Sequence, residues 1–282
     1  MKIINNFIIF FFQFKILHSF QNIINIQKYK SIIKKKYSSH IHLGYSKSRK
    51  VLFNHINYNL IYINQITNIY NKIKINNLNC EHVWCQKYFN YKEPMKSDLH
   101  IMFLCNSKIN SHRNDYKFSE IKNNYITLND EGYILNNTYN ISNYNNINKI
   151  FNNNFNIKYN KKNNNQKIFE PQDYSKGKVC RSIAYYSSIY NDTYIDQIID
   201  NKCLIEWNRK YLPGLNEIRR NEIIRIEQKN INPYIKYPIL IELLYNNELN
   251  IFYIIKLSIY SIFCILLSDI FKFNYFIKKI LF

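Results

Sequence analysis

Residues 79–86 read Asn79-Cys80-Glu81-His82-Val83-Trp84-Cys85-Gln86. Ser97-Asp98-Leu99-His100 follows, and then Lys108-Ile109-Asn110-Ser111-His112-Arg113-Asn114. Adjacent Glu and His on an extended segment point to opposite sides, so Glu81 and His82 share one ligand only where a strand ends or bends. A second strand-like run, Leu99 to Cys105, leads directly into Asn106 to Arg113, whose density of Asn, Ser and His suits a short, capped helix. The implied unit is strand, loop, strand, helix, with His82 leaving the first strand and Asn110 on the helix opposite it.

Such a unit can hydrolyse a phosphodiester. A neutral imidazole takes a proton from water near physiological pH and so starts an in-line attack on phosphorus. A hard divalent cation held by one carboxylate and one amide oxygen keeps coordination positions for water and phosphate oxygens, and it offsets charge on the departing oxygen. Glu81 and Asn110 are the candidate ligands and His82 the candidate base. Arg113, one turn beyond Asn110, is the candidate phosphate contact. On residue types alone the reading stays open, because the chain has seven His and is rich in Asn. Cys85 lies close to His82, but nothing supplies the remainder of a cysteine-hydrolase site.

Outward from this core, composition sets bounds. The 282 residues carry a formal charge of +20 and only four Gly, Gly44, Gly132, Gly177 and Gly214, too dispersed for a dinucleotide-binding turn or a phosphate loop. Residues 1–80 hold 12 Lys/Arg and no Asp or Glu. An apolar stretch over residues 3–20 precedes Lys34-Lys35-Lys36, and the whole of 1–42 reads as a poorly ordered leader. That combination resembles the signal-plus-transit leader of proteins sent through the secretory pathway to a relict plastid (apicoplast); an AT-rich genome imitates it by inflating Lys, Asn, Ile, Tyr and Phe. The six cysteines contain no CxxC pair and declare neither a zinc site nor a disulfide scaffold. Residues 136–165 are about half Asn without apolar periodicity, which predicts a disordered, low-complexity insertion. Beyond it, helical spacing begins after Gly177 with Val179, Ile183, Tyr186 and Tyr190. A further helix is expected over 217–230, with Asn216 as its cap and Pro233 past its end. The stretch 251–282 is a hydrophobic helix or tail whose longest uncharged run, Leu257 to Ser268, is short for a membrane span. A buried helix, an interfacial anchor and a tilted span all fit it.

The motif Asn79 to Gln86 resembles the N-x-E-H-x-W-P-Q core of the bacterial endonuclease I family, secreted and periplasmic DNases of the ββα-metal (His-Me finger) superfamily. The likeness continues in order. Tyr45-Ser46-Lys47-Ser48-Arg49-Lys50-Val51-Leu52-Phe53 resembles the family's opening helix. Asp98-Leu99-His100 and Ile109 to Phe118 resemble its D-L-H and V-N-x-x-R-x-N-x-x-F segments. Phe169-Glu170-Pro171 and Lys176 to Ala184 resemble F-E-P and K-G-x-x-A-R-A. Glu206-Trp207-Asn208, Arg219 to Ile224 and Asn230 to Tyr234 resemble the W-N, R-R-N-x-x-I and N-x-N-P blocks. Ala occurs once in the chain, at Ala184, and Gly and Pro are scarce, yet Ala184, Gly177, Pro171 and Pro233 fall where the motifs ask for them. The Pro after Trp84 is replaced by Cys85.

The resemblance implies an α+β fold with a ββα-metal core flanked by several helices, spanning residues 43–250. It implies His82 as general base, Glu81 and Asn110 as ligands of one Mg²⁺ (Mn²⁺ or Ca²⁺ as substitutes), and products with 5′-phosphate and 3′-hydroxyl ends. The partner expected is nucleic acid, DNA and also RNA, cut with little sequence preference by a monomer. A second class of reading is a degenerate nuclease fold that binds nucleic acid without cutting, since a +20 chain adheres to polyanions in any case. Membrane association through the 251–282 tail is a further expectation.

Overall fold

A computed structural model describes residues 26–62, 77–120, 168–246 and 250–281. The Asn-rich stretch 136–165 and residues 1–25 lie outside the described residues. The architecture is a mixed α+β one, dominated by helices around one small antiparallel pair.

That pair is β1 (Leu78–His82) with β2 (Met102–Asn106), in a register that sets Glu81 against Phe103 and His82 against Met102. It forms where the apolar run Met102-Phe103-Leu104-Cys105 is buried on both faces. Strand pairing therefore starts three residues later than the sequence run at Leu99, because Asp98, Leu99 and His100 turn in a tight loop, with Ile101 N–H donating to Asp98 O. Asn106 ends β2 and caps the short helix Ser107–Arg113 that follows it: its side chain accepts from Lys108 N and Ile109 N at 2.9 and 3.4 Å.

In chain order the helices used below are α1 (Ile26–Tyr37), α2 (Tyr45–Asn54), α3 (Ile56–Asn59), α4 (Ser107–Arg113), α5 (Asp173–Ile189), α6 (Ile195–Ile198), α7 (Asn201–Lys210), α8 (Leu215–Gln228), α9 (Pro233–Lys236), α10 (Ile239–Tyr245) and α11 (Ile251–Leu281). A second, parallel pair joins β3 (Lys117–Phe118) to β4 (Ile168–Phe169). One continuous core runs from Val83, Trp84 and Phe103 of the hairpin region to Val179, Ile183 and Tyr186 of α5 and on to Trp207 and Tyr245. The segments on either side of the Asn-rich stretch thus share a single interior. All six cysteines are free.

Three expectations need correction. Part of the segment read as a poorly ordered leader is helix α1, seated on the body: Ile33 is buried, Asn230 Nδ2 donates to Tyr37 O at 3.1 Å, and Ile41 N–H donates to Gln228 O at 2.7 Å. Helix α5 begins four residues before Gly177, which lies inside it. A Cβ at Gly177 would run into the Tyr211 carbonyl and stand 2.5 Å from Arg181 Nη2, so glycine serves close packing within the helix and does not mark its start. Helix α8 starts after Gly214, not after an Asn216 cap.

Asp98 organises the joint between the hairpin and the helices. Its buried carboxylate accepts from the His100 backbone N–H, Gln228 Nε2, Tyr185 OH and Tyr190 OH at 2.7 to 2.9 Å. His100 is fully buried with its ring centroid 4.7 Å from that of Tyr185. Burial pulls its pKa down from 6.5 to about 4, opposed by Asp98 and reinforced by Arg220 and His40. A base whose folded pKa lies below its unfolded value contributes stability above about pH 6.5 that is lost as pH falls toward 4. The drop for this one group is on the order of 3 kcal/mol. Urea titrations between pH 7 and pH 4 are expected to show it, with a flatter profile in His100→Phe; equal slopes in the two proteins would exclude His100 as a source.

Candidate active site

Glu81 and His82 are the last two residues of β1, and both are buried. Asn110 lies on α4, whose Asn106 cap fixes where the helix starts. The half-buried Asn110 amide donates to Asn79 Oδ1 at 2.8 Å and to Cys80 O at 3.1 Å. Both amide hydrogens are held by β1, so the group keeps a carbonyl oxygen as its accepting atom. The strand pair and helix thus carry Glu81, His82 and Asn110 on one unit, with Asn110 bonded to the strand that ends in Glu81 and His82.

The imidazole of His82 is oriented by its backbone surroundings. Nε2 lies 2.9 Å from Lys96 O, which can only accept, so Nε2 carries the proton. Nδ1 is buried and has no hydrogen-bond partner. Burial is the main cause of a pKa lowered to about 4, with the Lys96 carbonyl opposing it and Arg113 adding to it. The ring is neutral near pH 7, with its lone pair on Nδ1. Tyr45 of α2 stacks beside it at 6.2 Å, and Phe89 stands on another side at the same centroid distance.

Glu81 is held from two directions. Tyr62 OH donates to Oε1 at 3.1 Å, and Arg113 Nη1 lies 3.4 Å from the same atom. Burial raises the carboxyl above its ordinary pKa, while Arg113, Tyr62 and the His82 backbone oppose the shift. Tyr62 adopts the left-handed region at φ 60°, uncommon for an aromatic residue, and its N–H donates to Ser175 Oγ at 2.9 Å. No motif signals Tyr62 in the sequence; it reaches Glu81 only through the tertiary fold.

Arg113 sits elsewhere than a phosphate contact would require. It is 1% exposed, with Nη2 donating to Val83 O at 2.7 Å and Nη1 to His82 O and Asn114 O at 3.3 and 2.9 Å. Its guanidinium also lies 4.6 Å from the Phe118 ring centroid. These contacts tie α4 to the end of β1, so in this structure Arg113 holds the Glu81-His82 backbone in place.

The donor set bears on a metal. Glu81 offers carboxylate oxygen and Asn110 amide oxygen, hard donors too few to fill a coordination shell. That suits a cation such as Mg²⁺, which retains most of its water. Among the described residues no group of three or more His, Cys, Asp or Glu converges, which disfavours a soft, nitrogen-rich or sulfur-rich site there.

A carboxylate, an imidazole with an unpartnered ring nitrogen and an amide oxygen thus lie on one strand-strand-helix unit. The chain matches the family model for Endonuclease I over residues 11–239, most of its length, and it belongs to that family. Membership makes it a nuclease by descent, with nucleic acid as the substrate class and a family habit of using a divalent metal. No curated protein sequence matches the chain.

Proposed function

We propose that this protein is a Mg²⁺-dependent, sequence-tolerant endonuclease that cuts DNA, and RNA as well, leaving 5′-phosphate and 3′-hydroxyl ends, from a ββα-metal core. The observation that carries the reading is the buried, unpartnered Nδ1 of His82, whose tautomer is set by Lys96 O. A ring so held abstracts a proton from water without first losing one of its own. Glu81 and Asn110 would hold the cation, which supplies charge neutralisation at the scissile phosphate and at the departing 3′ oxygen. Tyr62 and Arg113 keep Glu81 in place, and Asn79 keeps Asn110 in place. Indifference to base sequence follows if contacts go to phosphates, in keeping with the positive charge of the chain.

Full-length protein incubated with supercoiled plasmid and Mg²⁺ is expected to produce nicked and then linear DNA. Chelation abolishes this and restored Mg²⁺ returns it. Salt-sensitive binding without cleavage in Mg²⁺, Mn²⁺ or Ca²⁺ would instead make the chain a nuclease-fold binding protein.

A further inference from the structure

Helix α11 has two unlike faces. Leu257, Ser261, Cys264 and Ser268, spaced four, three and four residues apart, are buried against the body, where Cys264 packs with Ile218 of α8 and Ile235 of α9. Ser268 Oγ donates to Glu222, Tyr260 OH donates to Pro213 O at 2.8 Å, and Lys256 Nζ donates to Arg209 O at 3.2 Å. On the opposite face Phe252, Ile255, Ile259, Phe263, Leu266 and Ile270 are each between 44% and 65% exposed. Five intervals covering 18 residues average 3.6, so this apolar stripe runs straight along an unsupercoiled helix.

We propose that the exposed stripe of α11 docks on a membrane surface bearing anionic headgroups, with the helix lying in the plane of the interface. The stretch Phe252–Lys272 is long and apolar enough to cross a bilayer. Its packed face, however, is tied to the body by hydrogen bonds from Lys256, Tyr260 and Ser268. Crossing would break those contacts and place Ser258, Ser261 and Ser268 in hydrocarbon. Lying flat buries the six apolar side chains and keeps the packed face intact.

Charge selects the occupant. Along one flank of the stripe cations lie over the aromatic rings: the Arg209 guanidinium is 4.1 Å from the Tyr253 ring centroid, and the Arg219 guanidinium is 5.8 Å from that of Phe271. Lys256 is exposed beside Phe252 and Ile255. Aromatic rings with cations beside them match the level of lipid headgroups. Arg209 is already paired with Glu242, and Asp269 is paired with Lys272, so Arg219 and Lys256 are the cations offered. From Ile251 onward the chain carries four Lys against Asp269 alone. A second copy pressed onto the stripe would bring like charge to like charge, whereas acidic lipid meets it with the opposite sign.

The test is flotation of the full-length protein with vesicles of phosphatidylcholine alone or mixed with phosphatidylserine. Binding to the mixed vesicles is expected, with little to phosphatidylcholine alone. Ile259→Glu with Phe263→Glu is expected to weaken it about tenfold or more. Arg219→Glu with Lys256→Glu removes the preference for the acidic lipid. All four positions are exposed, and unchanged circular dichroism and thermal unfolding would show that the variants remain folded. Three results overturn the proposal: no binding to either vesicle, a lipid-free dimer that the Ile259 and Phe263 changes convert to monomer, or bound protein that resists alkaline carbonate extraction as a span does. None of these bears on cleavage chemistry, so the nuclease reading stands or falls separately.

Discussion

Replacing His82 with Ala is expected to lower the rate of plasmid nicking by about 10² to 10⁴-fold, the usual contribution of a positioned general base. The reason lies in the geometry of the ring. Its Nε2 proton is committed to Lys96 O, and its Nδ1 is the atom left to accept a proton. Alanine removes that acceptor but leaves β1 paired with β2, since His82 contributes to the ladder through its backbone. Thermal unfolding should therefore change far less than activity does. His82→Asn keeps a polar group of similar reach without a usable base and should be nearly as slow. Retention of full activity in His82→Ala would remove His82 from the mechanism. The outcome also separates catalysis from simple adhesion, because binding of a polyanion by so basic a chain does not depend on one neutral imidazole.

The parts of the site that the sequence discloses are those set by local chemistry. Asn106 before a run of helix-compatible residues announces a capped helix, and the cap fixes the turn on which Asn110 stands. Glu81 and His82 fall at the end of an extended run, where side chains of neighbouring residues can serve one site. Tyr62 leaves no such trace: its hydroxyl meets Glu81 because Ser175, far along the chain, holds its backbone in a left-handed conformation. Arg113 shows a different limit. A cationic residue one turn from a ligand has the right spacing for a phosphate contact. The same spacing also lets it reach the Val83 and His82 carbonyls, and the choice between the two depends on burial that spacing does not encode. At Gly177 the local rule pointed to a helix boundary, but the glycine is needed for the passage of the Tyr211 carbonyl past α5. Helix α1 was hidden by its charge. Its Lys34-Lys35-Lys36 run reads as a leader, while the burial of Ile33 and the docking of Tyr37 on Asn230 become visible only in the fold.

Several of the matched motif residues prove to be scaffold. Arg220 of α8 donates from Nε to Asn59 Oδ1 at 2.8 Å and from Nη2 to the Leu99 and Met102 carbonyls, and so fastens the start of β2 to α8. Burial lowers its pKa to about 9, yet it remains charged at neutral pH. Lys176 pairs with Glu170 at 2.8 Å, and Asn208 donates to Pro238 O at 2.9 Å. Arg220 fastens the β1–β2 pair to the helical body, while Lys176 and Asn208 tie helices to the segments beside them.

The largest stability effect is expected at Glu217. Arg181, in the middle of α5 and 1% exposed, makes a two-pronged contact with this carboxylate: Nε to Oε1 and Nη2 to Oε2, each at 2.7 Å. Its Nη1 donates to Tyr211 O at 2.9 Å. Burial, the largest single influence, lowers the guanidinium pKa, but the charge and hydrogen bonds of Glu217, joined by Cys180 and Cys264, together leave it raised. Glu217→Ala leaves that cation buried among neutral acceptors, and the expected loss is about 3 to 5 kcal/mol by urea denaturation. A loss of that size is a large fraction of the roughly 5 to 15 kcal/mol that holds a typical domain folded. Replacing both partners, Arg181→Met with Glu217→Leu, should cost less than the two single changes added together, because the unpaired charge disappears with its partner. Strict additivity would show that the pair contributes nothing as a pair. The damage should reach the site through structure alone: α5 carries Ser175, which holds Tyr62 on Glu81, and α8 carries Arg220, which holds β2. Cleavage by Glu217→Ala should therefore fall with the folded fraction, while the rate per folded molecule at low temperature stays near that of the parent.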